Sequence, residues 1–125
     1  MKNENYQNIK SIKDACMAKN VPVVLPDAKD FPEEYRRHVL LHYVIMVVTG
    51  AVNGDWVPDF KNKKQPKYMV WLWIGESGVG FSAVADAYAI THTFVGARLV
   101  LETAEQARYV GNLIKDTFAD YCLKY

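Results

Sequence analysis

The sequence predicts a single α+β domain in which an antiparallel sheet of three to four strands is packed by two or three helices. The chain has 125 residues, half of them apolar, which is the usual size and composition of one domain. In the N-terminal and C-terminal parts of the chain, apolar residues recur with helical spacing, whereas aromatic and β-branched residues are concentrated between positions 68 and 101. We therefore expect the order α-α-β-β-β-α, with a flexible N-terminus at 1–10 and the folded domain at 11–125.

A short first helix is predicted after the polar N-terminus. Ser11 followed by Asp14 has the form of an N-cap with an acid in the first turn, and Asn20 tolerates the left-handed geometry that ends a helix. Val21–Pro32 contains three prolines, each without a backbone donor, which predicts an extended strap. We expect Val23–Leu25 to pack on the core, with an edge strand at 21–25 as an alternative.

The second helix is expected to form the buried centre of the domain. Pro32 suits its first turn, and Glu33 and Glu34 lie near its positive end. Val39–Val48 is apolar almost all round, a pattern typical of a buried helix. Asn53-Gly54-Asp55 then has the composition of a turn that ends the helix.

Three strands are predicted in the middle of the chain, after a loop at Asp55–Lys67. They are Tyr68–Ile74, Phe81–Ile90 and Thr93–Leu101, each rich in aromatic or β-branched residues. The glycine-rich segment Gly75–Gly80 lies between two of them. It lacks the lysine and the following helix of a phosphate-binding loop, so it predicts a hairpin turn.

The last predicted element is an amphipathic helix that begins with a capping box at Thr103 and Gln106. Its apolar residues recur at three- and four-residue steps and are Ala107, Val110, Ile114, Phe118, Tyr121 and Tyr125. Cys16 and Cys122 lie in separate helices, without a C-x-x-C pair. We expect both to be buried thiols in a reducing compartment.

Composition and motifs argue against several function classes. The formal charge is +1, so no strong overall field attracts duplex nucleic acid or a membrane surface. His38 and His42 are one helical turn apart, a spacing that can share a metal, but Val39 stands where a zinc protease has glutamate. We expect core or interface histidines, no metal and no cofactor. Because no nucleophile, base and orienting acid occur together, we do not expect an enzyme.

The strongest remaining signal is a cluster of aromatic and basic residues around Tyr68–Ile74. Alternation puts Met69, Trp71 and Trp73 on one face of this strand, and apolar residues on the other face too. A strand with bulky residues on both faces fits burial between helices, a protein interface or a platform on which nucleobases stack. For the last alternative, the lysines of the preceding loop would attract phosphate. The candidate ligand or interface residues are Trp56, Lys61, Lys63, Lys64, Lys67, Trp71, Trp73, Asp86 and Arg98.

Two of those candidates are charged residues within predicted strands. Asp86 lies in the second predicted strand and Arg98 in the third. Opposite charges on neighbouring strands form cross-strand ion pairs. We expect either such a pair or a place where the two side chains meet a ligand.

Several motifs resemble a known family. These are Asn53-Gly-Asp-Trp-Val-Pro-Asp-Phe60, the aromatic strand Tyr68–Trp73 and the Val-Gly-x-Arg-Leu segment Val95–Leu99, in that order. The chain resembles, from about Ser11 to Leu123, small uncharacterised proteins encoded by phages, prophages and mobile elements of Bacteroidetes. The resemblance implies a mobile-element origin and expression in the host bacterial cytoplasm, and it implies no catalytic residues.

These observations lead to three hypotheses about function. The first is a non-enzymatic phage or mobile-element accessory protein that acts by binding and self-association, as a homo-oligomer. The second is a binder of nucleotides or single-stranded nucleic acid, including capture of a host signalling nucleotide, through the tryptophans and lysines above. The third is a structural component of the virion. None of the three involves a membrane.

Overall fold

Helices and antiparallel strands together form the fold, which is of the predicted α+β class. The computed structural model describes residues 4–70, 73–75, 78–80, 88–89 and 96–124. The helices are α1 (Ile12–Lys19), α2 (Glu33–Asn53), α3 (Ala104–Leu113) and α4 (Lys115–Leu123). The strands are β1 (Lys67–Met69), β2 (Trp73–Gly75), β3 (Gly78–Gly80), β4 (Tyr88–Ala89) and β5 (Val100–Leu101).

Helix α1 begins and ends at the residues that the sequence predicts. The Ser11 hydroxyl accepts a hydrogen bond from the backbone N–H of Asp14 at 3.1 Å, which satisfies a donor of the first turn. Asn20 ends the helix in the left-handed conformation, at φ 60°. Cys16 is buried on this helix as expected, but Cys122 is exposed on α4, so that part of the prediction is wrong.

The N-terminal segment packs on the domain where the sequence led us to expect a flexible tail. Tyr6–Asn8 forms a 3-10 turn, and Ile9 is buried. The Tyr109 hydroxyl donates to the Ile9 carbonyl oxygen at 2.6 Å, and the Tyr6 ring packs edge-on against the Tyr109 ring. Burial, with smaller contributions from Tyr6 and Asp14, raises the pKa of Tyr109. These contacts fix residues 6–9 against α3.

The strap between α1 and α2 is irregular, as predicted, but its apolar residues do not pack on the core. Val24 is 70% exposed, and its neighbours Val23 and Leu25 are also exposed, so that expectation is wrong. Neither does this segment form an edge strand. The strap is held instead at its C-terminal end, where Ala28 is buried and Arg36 donates to two strap carbonyl oxygens at 2.9 Å.

Helix α2 is the centre of the core through its C-terminal half only. Ile45, Val48 and Val52 are fully buried, whereas Val39 and Val44 are half-buried. The expectation that all of Val39–Val48 is enclosed is therefore wrong for its first part. The reason is the packing partner: α1, α3 and β5 surround the C-terminal half, and α4 covers the other half incompletely.

The described strands form two antiparallel groups. In one, β1 lies between β4 and β5, with Tyr68 opposite both Tyr88 and Leu101. In the other, β2 and β3 form an antiparallel hairpin from Trp73 opposite Gly80 to Gly75 opposite Gly78. A hairpin is predicted here, but its turn is shorter than expected, because Gly78–Gly80 is a strand and not part of the turn. Apart from β4, the predicted strand Phe81–Ile90 lies outside the described residues. The single strand predicted at 68–74 is thus represented by β1 and β2, which belong to different groups.

The segment before β5 is a turn where a strand is predicted. Ala97–Leu99 forms a 3-10 turn in which the backbone N–H of Leu99 donates to the Gly96 carbonyl oxygen at 3.2 Å. Gly96 has φ 81°, a conformation that other residues rarely adopt and that interrupts an extended strand. Arg98 therefore lies on an exposed turn and not within a strand; Asp86 lies outside the described residues.

The final helix is divided in two. The capping box is present, since Gln106 N–H donates to Thr103 Oγ1 and Thr103 N–H donates to Gln106 Oε1, both at 3.1 Å. Ile114 (φ −124°, ψ 41°) separates α3 from α4, so the predicted single helix is interrupted after Leu113.

Among the described helices, none has the length and apolar character needed to cross a bilayer.

Candidate functional site

A cleft of about 670 Å³ runs along one face of the C-terminal half of α2. Its floor is formed by Tyr43, Met46, Val47, Gly50 and Asn53, which share a helix face because they are spaced three or four residues apart. The volume is within the range of roughly 300–1,000 Å³ that small-molecule sites occupy. The cleft is therefore large enough for a small organic ligand.

Three other segments form the walls of this cleft. Lys19 and Val21 contribute from the end of α1, and Ala97 and Arg98 contribute from the turn before β5. The remaining wall is the segment after α2 and includes Trp56. The walls thus bring together parts of the chain that are up to 79 residues apart in sequence, from Lys19 to Arg98.

The wall that carries Trp56 is held by local hydrogen bonds. Gly54 leaves α2 with φ 63°, and the backbone N–H of Trp56 donates to the Asn53 carbonyl oxygen at 3.2 Å. Farther along, Gln65 donates from Nε2 to the Val57 carbonyl oxygen at 3.3 Å. The loop is consequently tied both to the helix and to itself, which leaves the Trp56 side chain half-buried at the cleft.

Lys19 lies directly over the glycine in the floor. A Cβ atom placed on Gly50 would be 3.5 Å from Lys19 Cε and 3.9 Å from Lys19 Nζ. The aliphatic stem of Lys19 therefore crosses α2 at the one floor position without a side chain. Its ammonium group also lies near the last turn of α2, whose carbonyl groups carry partial negative charge.

The cleft has a largely apolar lining that also contains two cationic and two aromatic side chains. Lys19 and Arg98 carry positive charges, and Trp56 and Tyr43 supply rings. No acidic side chain is present in the part of the lining that the structure describes. An arginine fork and a lysine ammonium are typical ligands for phosphate and carboxylate groups, and indole rings stack on planar ligands. The chemistry of the lining thus favours an anionic ligand that carries a ring.

Of the residues predicted from sequence, the structure brings Trp56 and Arg98 together at this cleft. Lys61, Lys63 and Lys64 are exposed on the loop that follows Trp56, but they do not line the cleft. Trp71 lies outside the described residues, as Asp86 does, and Trp73 is described as a backbone position of β2.

Lys67 is buried, although we expected it to be exposed with the other lysines of the loop. The side chain is fully buried at the start of β1, where Nζ donates to the Asn62 carbonyl oxygen at 3.2 Å. Its ammonium group also lies 5.0 Å from the centre of the Phe60 ring, within cation–π distance. Lys67 thus holds the loop from inside and does not present its charge to a ligand in solvent.

The two histidines of α2 contact a tyrosine of α4. The His38 ring stacks on the Tyr121 ring with centroids 4.2 Å apart, and His42 Nδ1 shares a hydrogen bond of 2.9 Å with the Tyr121 hydroxyl. Burial, followed by the nearby Cys122, raises the pKa of Tyr121. Within the described residues no group of three or more metal-ligating side chains occurs. Through these contacts with Tyr121, both histidines pack α2 against α4.

Four residues that line the cleft are not among those predicted from the sequence: Lys19, Tyr43, Met46 and Gly50. Tyr43, Met46 and Gly50 follow helical spacing, a signal that marks them as one face, but an apolar helix without a polar face does not show which side is open. The structure shows that side, because α1 leaves it uncovered beyond Lys19.

Comparison of the chain with protein-family models, curated proteins and solved structures gave no match.

Proposed function

We propose that this chain is a non-enzymatic binding protein that takes a small ligand into the cleft beside Trp56. The observation that carries the proposal is the lining of that cleft, whose described part contains two cations and two aromatic rings and no acidic side chain. These side chains supply contact area and positive charge, which are the requirements of capture.

The glycine in the cleft floor provides a matched test. In Gly50→Leu the new side chain projects into the cleft beneath Lys19 and occupies the volume a ligand needs. In Gly50→Ala the added Cβ lies at ordinary contact distance, 3.5 Å from its nearest neighbour, so the cleft stays open. Both changes remove a helical glycine, and neither is expected to lower helix stability.

Native mass spectrometry detects a bound ligand by its mass, so the ligand need not be chosen beforehand. The full chain is mixed with a bacterial small-molecule extract, and non-covalent adducts are compared among the wild type and the two Gly50 variants. We expect an adduct on the wild type and on Gly50→Ala, and its loss from folded Gly50→Leu. An adduct that is absent, or that persists on Gly50→Leu, contradicts the proposal.

Self-association is a second candidate function, favoured by a different observation. Val23, Val24 and Leu25 are exposed and adjoin Ile12 at a groove of about 140 Å³. Exposed contiguous apolar side chains are typical of protein interfaces. Size-exclusion chromatography with light scattering is expected to show a dimer or larger species that Val24→Asp dissociates. The control Lys13→Asp alters charge on α1 and should leave the mass unchanged; a wild-type monomer at tens of micromolar contradicts this candidate.

We also propose a particular sheet architecture and a bacterial host for this protein. A sheet of three to four strands packed by two or three helices is supported by the antiparallel pairing of β1 with both β4 and β5. A role in the cytoplasm of a bacterial host, as an accessory protein of a phage or mobile element, is supported by the resemblance of the Asn53–Phe60 and Val95–Leu99 motifs.

A further inference from the structure

The Lys19 cation and the Trp56 indole of the cleft come from segments that meet α2 close together. Lys19 lies over Gly50, and the backbone of Trp56 is bonded to Asn53, three residues farther along α2. At 1.5 Å of rise per residue, these two attachment points are about 4.5 Å apart along the helix axis. One small molecule can therefore reach both groups.

Given a ligand-binding cleft as proposed above, we infer that its ligand is a nucleoside phosphate. The base stacks on the Trp56 indole, and the phosphate lies between the Lys19 ammonium and the Arg98 guanidinium. Base–aromatic stacking tolerates all four bases, and arginine binds phosphate through two parallel hydrogen bonds. Arg98 is free to adopt that geometry because it lies on an exposed turn, and the described lining contains no carboxylate that would repel the anion.

A mononucleotide fits the described residues better than a nucleic-acid strand. A strand requires a continuous track of cations for successive phosphates. Lys61, Lys63 and Lys64 are exposed but lie away from the cleft lining, and Lys67 is buried. The described cations at the cleft are Lys19 and Arg98, enough for one phosphate group.

Isothermal titration calorimetry on the full chain tests this inference. The probes are the four ribonucleoside 5′-monophosphates, the matching nucleosides, inorganic phosphate and a thymidine decanucleotide. We expect at least one monophosphate to bind at least tenfold more tightly than its nucleoside and than inorganic phosphate. Trp56→Leu should weaken that binding by roughly 5- to 140-fold, and Trp56→Phe by less, because a phenyl ring still stacks.

Charge variants separate phosphate recognition from structural effects. Arg98→Gln and Lys19→Gln should weaken nucleotide binding while leaving nucleoside binding unchanged, and Lys63→Gln, on an exposed loop, should change neither. If Lys19→Gln lowers thermal stability yet leaves nucleotide affinity intact, Lys19 only neutralises the end of α2, and the inferred phosphate site is wrong.

The remaining outcomes distinguish this inference from the proposed function. A cleft adduct in native mass spectrometry whose mass is not that of a nucleotide, with no heat from any nucleotide, overturns the inference and leaves the proposed function standing. Absence of any adduct, together with no heat from any nucleotide, contradicts both. Tighter binding of the decanucleotide, with a steep salt dependence that Lys63→Gln reduces, would show a single-strand site in place of a mononucleotide site.

Discussion

Asn53 joins the end of α2 to β5, and its replacement is the most direct test of how the cleft is held in place. Its Nδ2 donates to the Val100 carbonyl oxygen at 2.8 Å, and its Oδ1 accepts from the Glu102 backbone N–H at 3.2 Å. Asn53 and Val100 are both buried. One amide therefore satisfies an acceptor in β5 and a donor in the residue that follows it.

The expected cost of Asn53→Ala follows from these two bonds. Leaving a buried backbone group without its partner costs about 1–3 kcal/mol, and the half-buried Glu102 N–H recovers part of this from water. Alanine is a better helix former than asparagine by roughly 0.5 kcal/mol, which offsets a fraction. We expect a net loss of about 2–4 kcal/mol in the free energy of unfolding, a large part of the ~5–15 kcal/mol typical of a domain.

Urea denaturation followed by far-UV circular dichroism measures this loss. With a slope of about 2 kcal/mol per molar urea, the middle of the range for small proteins, the midpoint of Asn53→Ala should fall by roughly 1–2 M. The matched control is Asn112→Ala, an exposed asparagine of α3, which should change the free energy by less than about 0.5 kcal/mol. Equal midpoints for the two variants would refute the bridging role of Asn53.

Three other predictions test burial and charge. Val44→Asp places a charge at a half-buried position, so the thermal midpoint should fall without complete unfolding; an unfolded variant at 25 °C would show that the site is enclosed. Lys67→Glu should destabilise the domain by about 3–5 kcal/mol in urea, whereas exposed Lys63→Glu should change little; equal effects would place both lysines in solvent. Hydrogen bonds from Lys124 and from Arg37 of α2 lower the pKa of Asp120. The ionised Asp120 therefore stabilises the folded protein above the unfolded pKa, and this contribution is lost as pH falls through the folded pKa. Urea midpoints of the wild type should thus fall more steeply than those of Asp120→Asn below about pH 4, and parallel curves would contradict this.

Local signals in the sequence were sufficient wherever a structure depends on neighbouring residues. The cap at Ser11, the left-handed Asn20 and the capping box at Thr103 are correct because each involves atoms within about one helical turn. The α+β class and the β2–β3 hairpin also follow from local patterns of spacing and glycine. Such features require only the chain within a few residues.

Burial and the assembly of the cleft depended on contacts between distant parts of the chain. Cysteine is a residue type that is usually buried, yet Cys122 is exposed on α4. Lysine is usually exposed, yet Lys67 is buried in β1. Trp56 and Arg98 are separated by 42 positions and line one cleft because both segments pack on α2. Helix caps, the class of fold and the β2–β3 hairpin can thus be predicted from the amino-acid sequence. Tertiary packing decided which side chains are accessible, because exposure is a property of how elements cover one another and not of any single segment.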